Sequence, residues 1–280
     1  MHKISYIFVL AFLGLACDSR LEGELAPDYI GDQLTINGFL SPDSVWLKVG
    51  KTVNPYEDYK SRDFIAPQLR VFVLDQQGGE TELLSKDGLN FKSASLRLAP
   101  GALYRVKAIA PGLADAISEP ILIPDTALLH NPRIEKDAAD PQRGLLYFSF
   151  YDRPGKDHYL ATFSLKKGNW IGGGGHIWLH NEDLNGKCYR YGIFPDDCFG
   201  PARNTLVFGY NTQYLKPIPD TLIIRFGKVS ESVYKAQESN PPDDGFIQGI
   251  NEPPATYSNI KGGIGMVFGQ YWKEYAVRLE

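Results

Sequence analysis

Cysteine is scarce, with three residues in a chain of 280, and no Cys-x-x-Cys pair occurs. A thiolate metal site of the usual four-ligand kind is therefore not written here. Concentrated positive charge is missing too: the formal net charge is −4, the sequence pI is near 5.8, and Lys166-Lys167 is the nearest approach to a basic cluster. That excludes nucleic acid as a partner, because phosphate binding needs a dense basic surface. No Gly-x-Ser-x-Gly elbow, His-Glu-x-x-His helix or dinucleotide fingerprint is present, so the sequence points to a protein that is not an enzyme and carries no cofactor. No internal repeat is evident, and no apolar run is long enough to cross a bilayer. The most apolar stretch, residues 4–16, rises only about 20 Å as a helix, short of the ~30 Å of hydrocarbon.

That short run has its own meaning. Lys3 precedes it, Gly14, Leu15 and Ala16 give it a small-residue end, and Cys17 follows at once. The pattern is a cleaved export signal (residues 1–16), and Gly-Leu-Ala-Cys resembles the lipobox at which bacterial lipoproteins are acylated on cysteine. Cys17 is thus the expected lipidation site and the chain's link to a membrane, more than one acyl chain making the attachment stable. Residues 17–32 are polar and read as a tether.

With 43% hydrophobic and 12% aromatic residues, the mature chain has enough apolar surface for proper cores. Its length exceeds one domain of ~100–150 residues, so two are expected. Over residues 33–124, short strands alternate in period two: Leu34 and Ile36 with Thr35 and Asn37; Val45, Leu47 and Val49 with Trp46, Lys48 and Gly50; Val71 and Val73 with Arg70, Phe72 and Leu74. Turn residues at 75–79 and 100–101 punctuate them, without an amphipathic helix between. This predicts an immunoglobulin-like β-sandwich with one face of each strand buried. Residues 54–67 are a long polar and aromatic insertion, a length that signals function or mobility. Residues 125–142, rich in Asp and Pro, are the expected linker, and 143–280 a second β-rich domain with one short helix at 230–239, opened by a Ser230 cap. The fold class is all-β. Cys188 and Cys198, the even pair left once Cys17 is acylated, are expected to form a disulfide across a small loop.

Candidate chemistry in the second half is thin. Residues 172–175 are glycines before His176, without the Lys-Ser/Thr ending of a phosphate loop. His176 and His180 with Glu182 and Asp183, or the half calcium loop at Asp183 and Asn185, are incomplete metal sets, so no metal is expected. The acid pairs Asp196-Asp197 and Asp243-Asp244 read as solvated turn residues rather than a glycosidase pair. Aromatics are the better lead. Trp170, Trp178, Tyr189, Tyr191 and Phe194 crowd a glycine-rich zone, and Tyr56 and Tyr59 lie in the long insertion. Tyr56, Tyr59, Trp170, Trp178, Tyr189 and Tyr191 are the candidate contacts for a partner or a sugar, since rings give large contact area at low entropic loss.

The carboxyl-terminal run carries a resemblance. Tyr234 in the helix, then Ser258-Asn259-Ile260 with Gly262, Gly263 and Gly265, together with the lipobox, Pro100-Gly101 before Tyr104, and Asp183-Leu-Asn-Gly, are similar to a Bacteroidota lipoprotein family labelled only as a domain of unknown function, DUF4249. The resemblance implies a lipid-anchored outer-membrane protein facing the cell exterior, an accessory or lid subunit whose partner is a TonB-dependent β-barrel of the starch-utilisation type. A stand-alone glycan-binding or glycan-cleaving lipoprotein, or a structural subunit of an envelope assembly, are the alternatives. The Ser-Asn-Gly run itself reads as structure: Gly262, Gly263 and Gly265 permit positive φ or close backbone approach, and Ser258 and Asn259 satisfy loose backbone groups.

Overall fold

The alternation in residues 34–51 folds as a hairpin, β1 (Leu34–Ser41) and β2 (Ser44–Lys51), in which Ile36 faces Val49 and Leu40 faces Val45. The computed structural model describes Tyr29 and residues 31–54, 57–136, 140, 142–152, 155–172, 177–181, 184, 188, 192–200, 203–213, 215, 217–239 and 257–279. After a 3-10 turn at Ser61–Phe64 comes β3 (Arg70–Leu74), joined to β4 (Glu80–Leu83) through the expected turn. There Asp75 Oδ1 accepts from the Gln77 and Gly79 amides at 2.9 and 2.7 Å. The strands β5 (Asn90–Ser93), β6 (Leu103–Ile109), β7 (Ala116–Ser118) and β8 (Ile121–Leu122) follow.

The second half supplies β9 (His130–Lys136), β10 (Arg143–Tyr151), β11 (His158–Lys167), β12 (Trp170–Gly172), β13 (Ile177–Leu179), β14 (Ile193–Pro195), β15 (Arg203–Asn211) and β16 (Thr221–Val229). The helix α1 (Glu231–Ser239) and three strands, β17 (Ile260–Lys261), β18 (Gly263–Ile264) and β19 (Val267–Arg278), close the chain. Among the described residues these strands form three sheets. One runs β12-β11-β16-β19-β1-β2-β5 with β14 on β11 and β18 on β1; one runs β13-β15-β10-β9; one runs β17-β7-β6-β3-β4 with β8 on β6.

Two apolar cores lie between these sheets. The first joins Leu34, Ile36, Leu47 and Val49 to Val71, Val73, Val106 and Ala108. The second joins Phe148, Phe150 and Phe208 to Tyr159, Ile224 and Phe226. Ring contacts fill it, with Phe148 and Phe208 stacked at 5.8 Å and Phe150 tilted on Tyr159 at 4.7 Å. The architecture is thus two β-sandwiches, all-β as the alternation indicates.

What joins them is one strand. Val267, Phe268 and Gly269 pair in parallel with Gly38, Phe39 and Leu40, and the same strand then pairs antiparallel with β16 from Gln270 to Arg278. The expected boundaries shift accordingly. The residues read as a linker, 125–142, include Ala127 and Leu129 in the second core and the edge strand β9. The range 143–280 is not one unit either, because Ile260 and Val267 lie in the first core, β17 pairs with β7, and β18 pairs with β1. The physical reason is edge closure: open β1 and β7 edges need partners, and the end of the chain provides them.

The Ser-Asn-Gly run fastens this return. Asn259, 4% exposed, donates from Nδ2 to the Val267 carbonyl at 2.7 Å and accepts from the Val267 amide at 3.0 Å. The Ser258 hydroxyl accepts from the Ile260 and Gly265 amides. A Cβ at Gly263 or Gly265 would strike the Leu34 or Ile36 carbonyl, so only glycine lets this segment lie against β1. Ser230 stands directly ahead of α1, its carbonyl accepting from the Val233 amide at 3.1 Å. Its hydroxyl accepts from the Gly269 amide at 3.0 Å, tying the start of α1 to β19.

Candidate binding surfaces

The residues singled out in the sequence do not converge on one place. Cys17, Tyr56, Tyr189 and Tyr191 lie outside the described residues, as do His176, Glu182, Asp183, Asn185 and the Asp243-Asp244 pair. Cys188 and Cys198 form the expected disulfide, with Cα atoms 5.7 Å apart. Phe199 beside it packs edge-on against Phe150 at 4.9 Å, which pins the loop to the second core. Phe194 is fully buried in that core and belongs to packing. Trp170 packs partly against the same core from β12, whereas Trp178 is exposed on β13, its indole lying over Gly209. Trp170 and Trp178 sit on edge strands of different sheets. Asp197 is exposed in a 3-10 turn, and among the described residues no group of three His, Cys, Asp or Glu could hold a metal ion.

Tyr59 is different, because the fold builds a cleft around it. The insertion turns back at Ser61–Phe64, where the Asp63 carboxylate accepts from the Lys60 amide at 2.6 Å. It settles on the outer face of β2 at Gly50, where an added Cβ would lie 2.5 Å from the Phe64 carbonyl oxygen. Tyr59 meets Phe64 edge to face at 5.4 Å and remains 55% exposed. Between this aromatic wall and the floor of Thr35, Asn37 and Lys48 lies an open cavity of about 560 Å³. An adjoining hollow of about 250 Å³ on the other side of Tyr59 is acidic, lined by Asp32, Glu57, Asp58 and Asp63. There the Lys51 ammonium and the Tyr29 hydroxyl hold the Asp32 carboxyl below the usual carboxylate range. The same contacts, with the Thr52 amide donating to the Gln33 carbonyl at 2.8 Å, fix the place where the chain enters the first sandwich.

A second cleft, of about 500 Å³, lies where the two sandwiches meet, lined by Leu103, Leu122 and Pro124 on one side and His158, Ser230 and Lys235 on the other. Asp125 and Asp157 in its lining belong to a feature that the sequence reading missed. Lys228 follows Leu222, Ile224 and Phe226 on the inward face of β16, and its side chain is 4% exposed. Its ammonium lies 2.6 Å from Asp125 and 2.5 Å from Asp157, and the Tyr159 hydroxyl donates to Asp152 alongside. Asp125 leaves the first sandwich and Asp157 directly precedes β11 of the second, so the lysine spans the junction. The lysine in an otherwise apolar alternation was the signal available. Nearby, burial raises the Tyr257 hydroxyl above its ordinary range, against the opposing pull of Lys235.

A search of curated proteins finds no match to the chain. A family does match, over residues 22–276, which is nearly all of both sandwiches together with the strand that joins them. The chain belongs to that family, described as a domain of unknown function (DUF4249).

Proposed function

We propose that this protein is a lipid-anchored outer-membrane lipoprotein, facing the cell exterior, that acts by binding as an accessory or lid subunit of a TonB-dependent β-barrel transporter. The observation that carries the reading is the direction of β19. Because β1 and β19 run parallel and β19 continues past the end of β1, the second sandwich lies at the end of β1 opposite the one where the chain enters it at Leu34. A body held by acyl chains on Cys17 would then present its second sandwich away from its own anchor, as a lid or capture subunit must. The Cys188–Cys198 disulfide suits an oxidising compartment outside the cytoplasm. The test is co-purification from detergent-solubilised membranes through a carboxyl-terminal tag. A large barrel protein is expected with the wild-type chain, and its absence would count against the proposal. Fatty-acid labelling should mark the wild type and leave a Cys17→Ala variant unmarked and released from membranes.

A further inference from the structure

We infer that the cleft between Tyr59 and the outer face of the β1–β2 hairpin binds an acidic oligosaccharide, one built from uronic acid units. At about 560 Å³ it has the size of a small-ligand site, and it lies open along the sheet, as a chain-like ligand requires. Its wall is an exposed tyrosine ring held edge-on by Phe64, which offers a flat apolar face to a pyranose ring. Its floor is a set of donors without partners. The Lys48 ammonium makes no ion pair among the described residues, and the Thr35 and Ser61 hydroxyls accept and donate nothing there. Asn37 uses Oδ1 on the Met266 amide at 3.2 Å and keeps its Nδ2 for a ligand.

Charge selects among sugars. Among the described residues no carboxylate lines this cleft, and its other lysine, Lys51, is already paired with Asp32, so Lys48 is its unneutralised charge. The acids of the adjoining hollow lie beyond Tyr59 and repel a carboxylate from that side. A uronate therefore places its carboxylate on Lys48 and its ring on Tyr59, a charge-assisted contact plus a stacking contact. The inference deepens the uptake reading by naming a cargo class, but it stands or falls separately. A binding isotherm needs no barrel partner, and co-purification needs no sugar.

The experiment is isothermal titration of the detergent-solubilised mature chain with the galacturonic acid hexamer and, in parallel, with maltohexaose. The acidic hexamer should bind with a dissociation constant at or below about 1 mM and the neutral one at least about tenfold more weakly. Lys48→Gln should remove that preference, and Tyr59→Ala should weaken the acidic hexamer at least about tenfold. Both side chains are exposed, so far-ultraviolet circular dichroism and the melting temperature should match the wild type. Absence of binding, equal binding of the two hexamers, or unchanged binding by either variant would overturn the inference.

Discussion

At the scale of the residue, Lys228 stands out among the described residues as a charged side chain taken into the interior. An ammonium taken almost wholly out of water is tolerable only with close counter-charges, and Asp125 and Asp157 provide two. The partners are less buried than the lysine, with side chains 42% and 22% exposed, so solvent screens part of the attraction. Lys228→Met keeps most of the volume but leaves two carboxylates facing each other at the junction. The expected loss is about 2–3 kcal/mol, below the ~3–5 of a fully buried pair. For a chain of this size that lowers the melting temperature by about 4–12 °C, read by circular dichroism. Adding Asp125→Asn and Asp157→Asn to Lys228→Met should recover part of the loss. An unchanged melting temperature in the single variant would show that the lysine is a bystander.

At the scale of the element, the cleft depends on one position where a strand has no side chain. Gly50 lets the Ser61–Phe64 turn rest on β2, and Gly50→Val would drive the insertion outward against the Phe64 carbonyl. The strand itself tolerates valine, so the melting temperature should fall only slightly. The Tyr59 region should instead become open to protease, with cleavage between residues 54 and 67 rising severalfold in limited digestion. Equal cleavage of variant and wild type would sink this account. Much of the element order was legible because burial on one face writes itself as alternation, as in β1, β2 and the hairpin of β3 and β4. The expected linker misled because its aspartates and prolines, Pro132 among them, read as a break. In fact β9 is an edge strand, where a missing amide donor does no harm. The cleft was half legible: the aromatic insertion stood out, but its fold-back onto Gly50 is a long-range contact that no local pattern encodes. Lys228 was legible in principle, as a charge in phase with Leu222, Ile224 and Phe226.

At the scale of the whole molecule, the sequence suggests a cut at residue 124 that the topology denies. The first core needs Ile260 and Val267, and its sheets need β17, β18 and the first turn of pairing in β19 to cover β7 and β1. These come from the chain's last segment, locked by Asn259 and by the close approach of Gly263 and Gly265 to β1. The first sandwich therefore cannot complete itself without the chain's last segment, and β19 runs on from it into the second as a single hydrogen-bonded strand. A fragment of residues 29–124 should show no cooperative thermal transition, whereas the mature chain should melt in one step with its tyrosine and tryptophan signals coincident. Extending the fragment with residues 257–269 through a flexible Gly-Ser linker should restore a cooperative melt, because it returns both apolar residues and both edge partners. A fragment ending at 124 that already melts cooperatively, near the temperature of the mature chain, would mean that the shared strand decorates two independent domains, and the rigid presentation of one sandwich by the other would lose its basis.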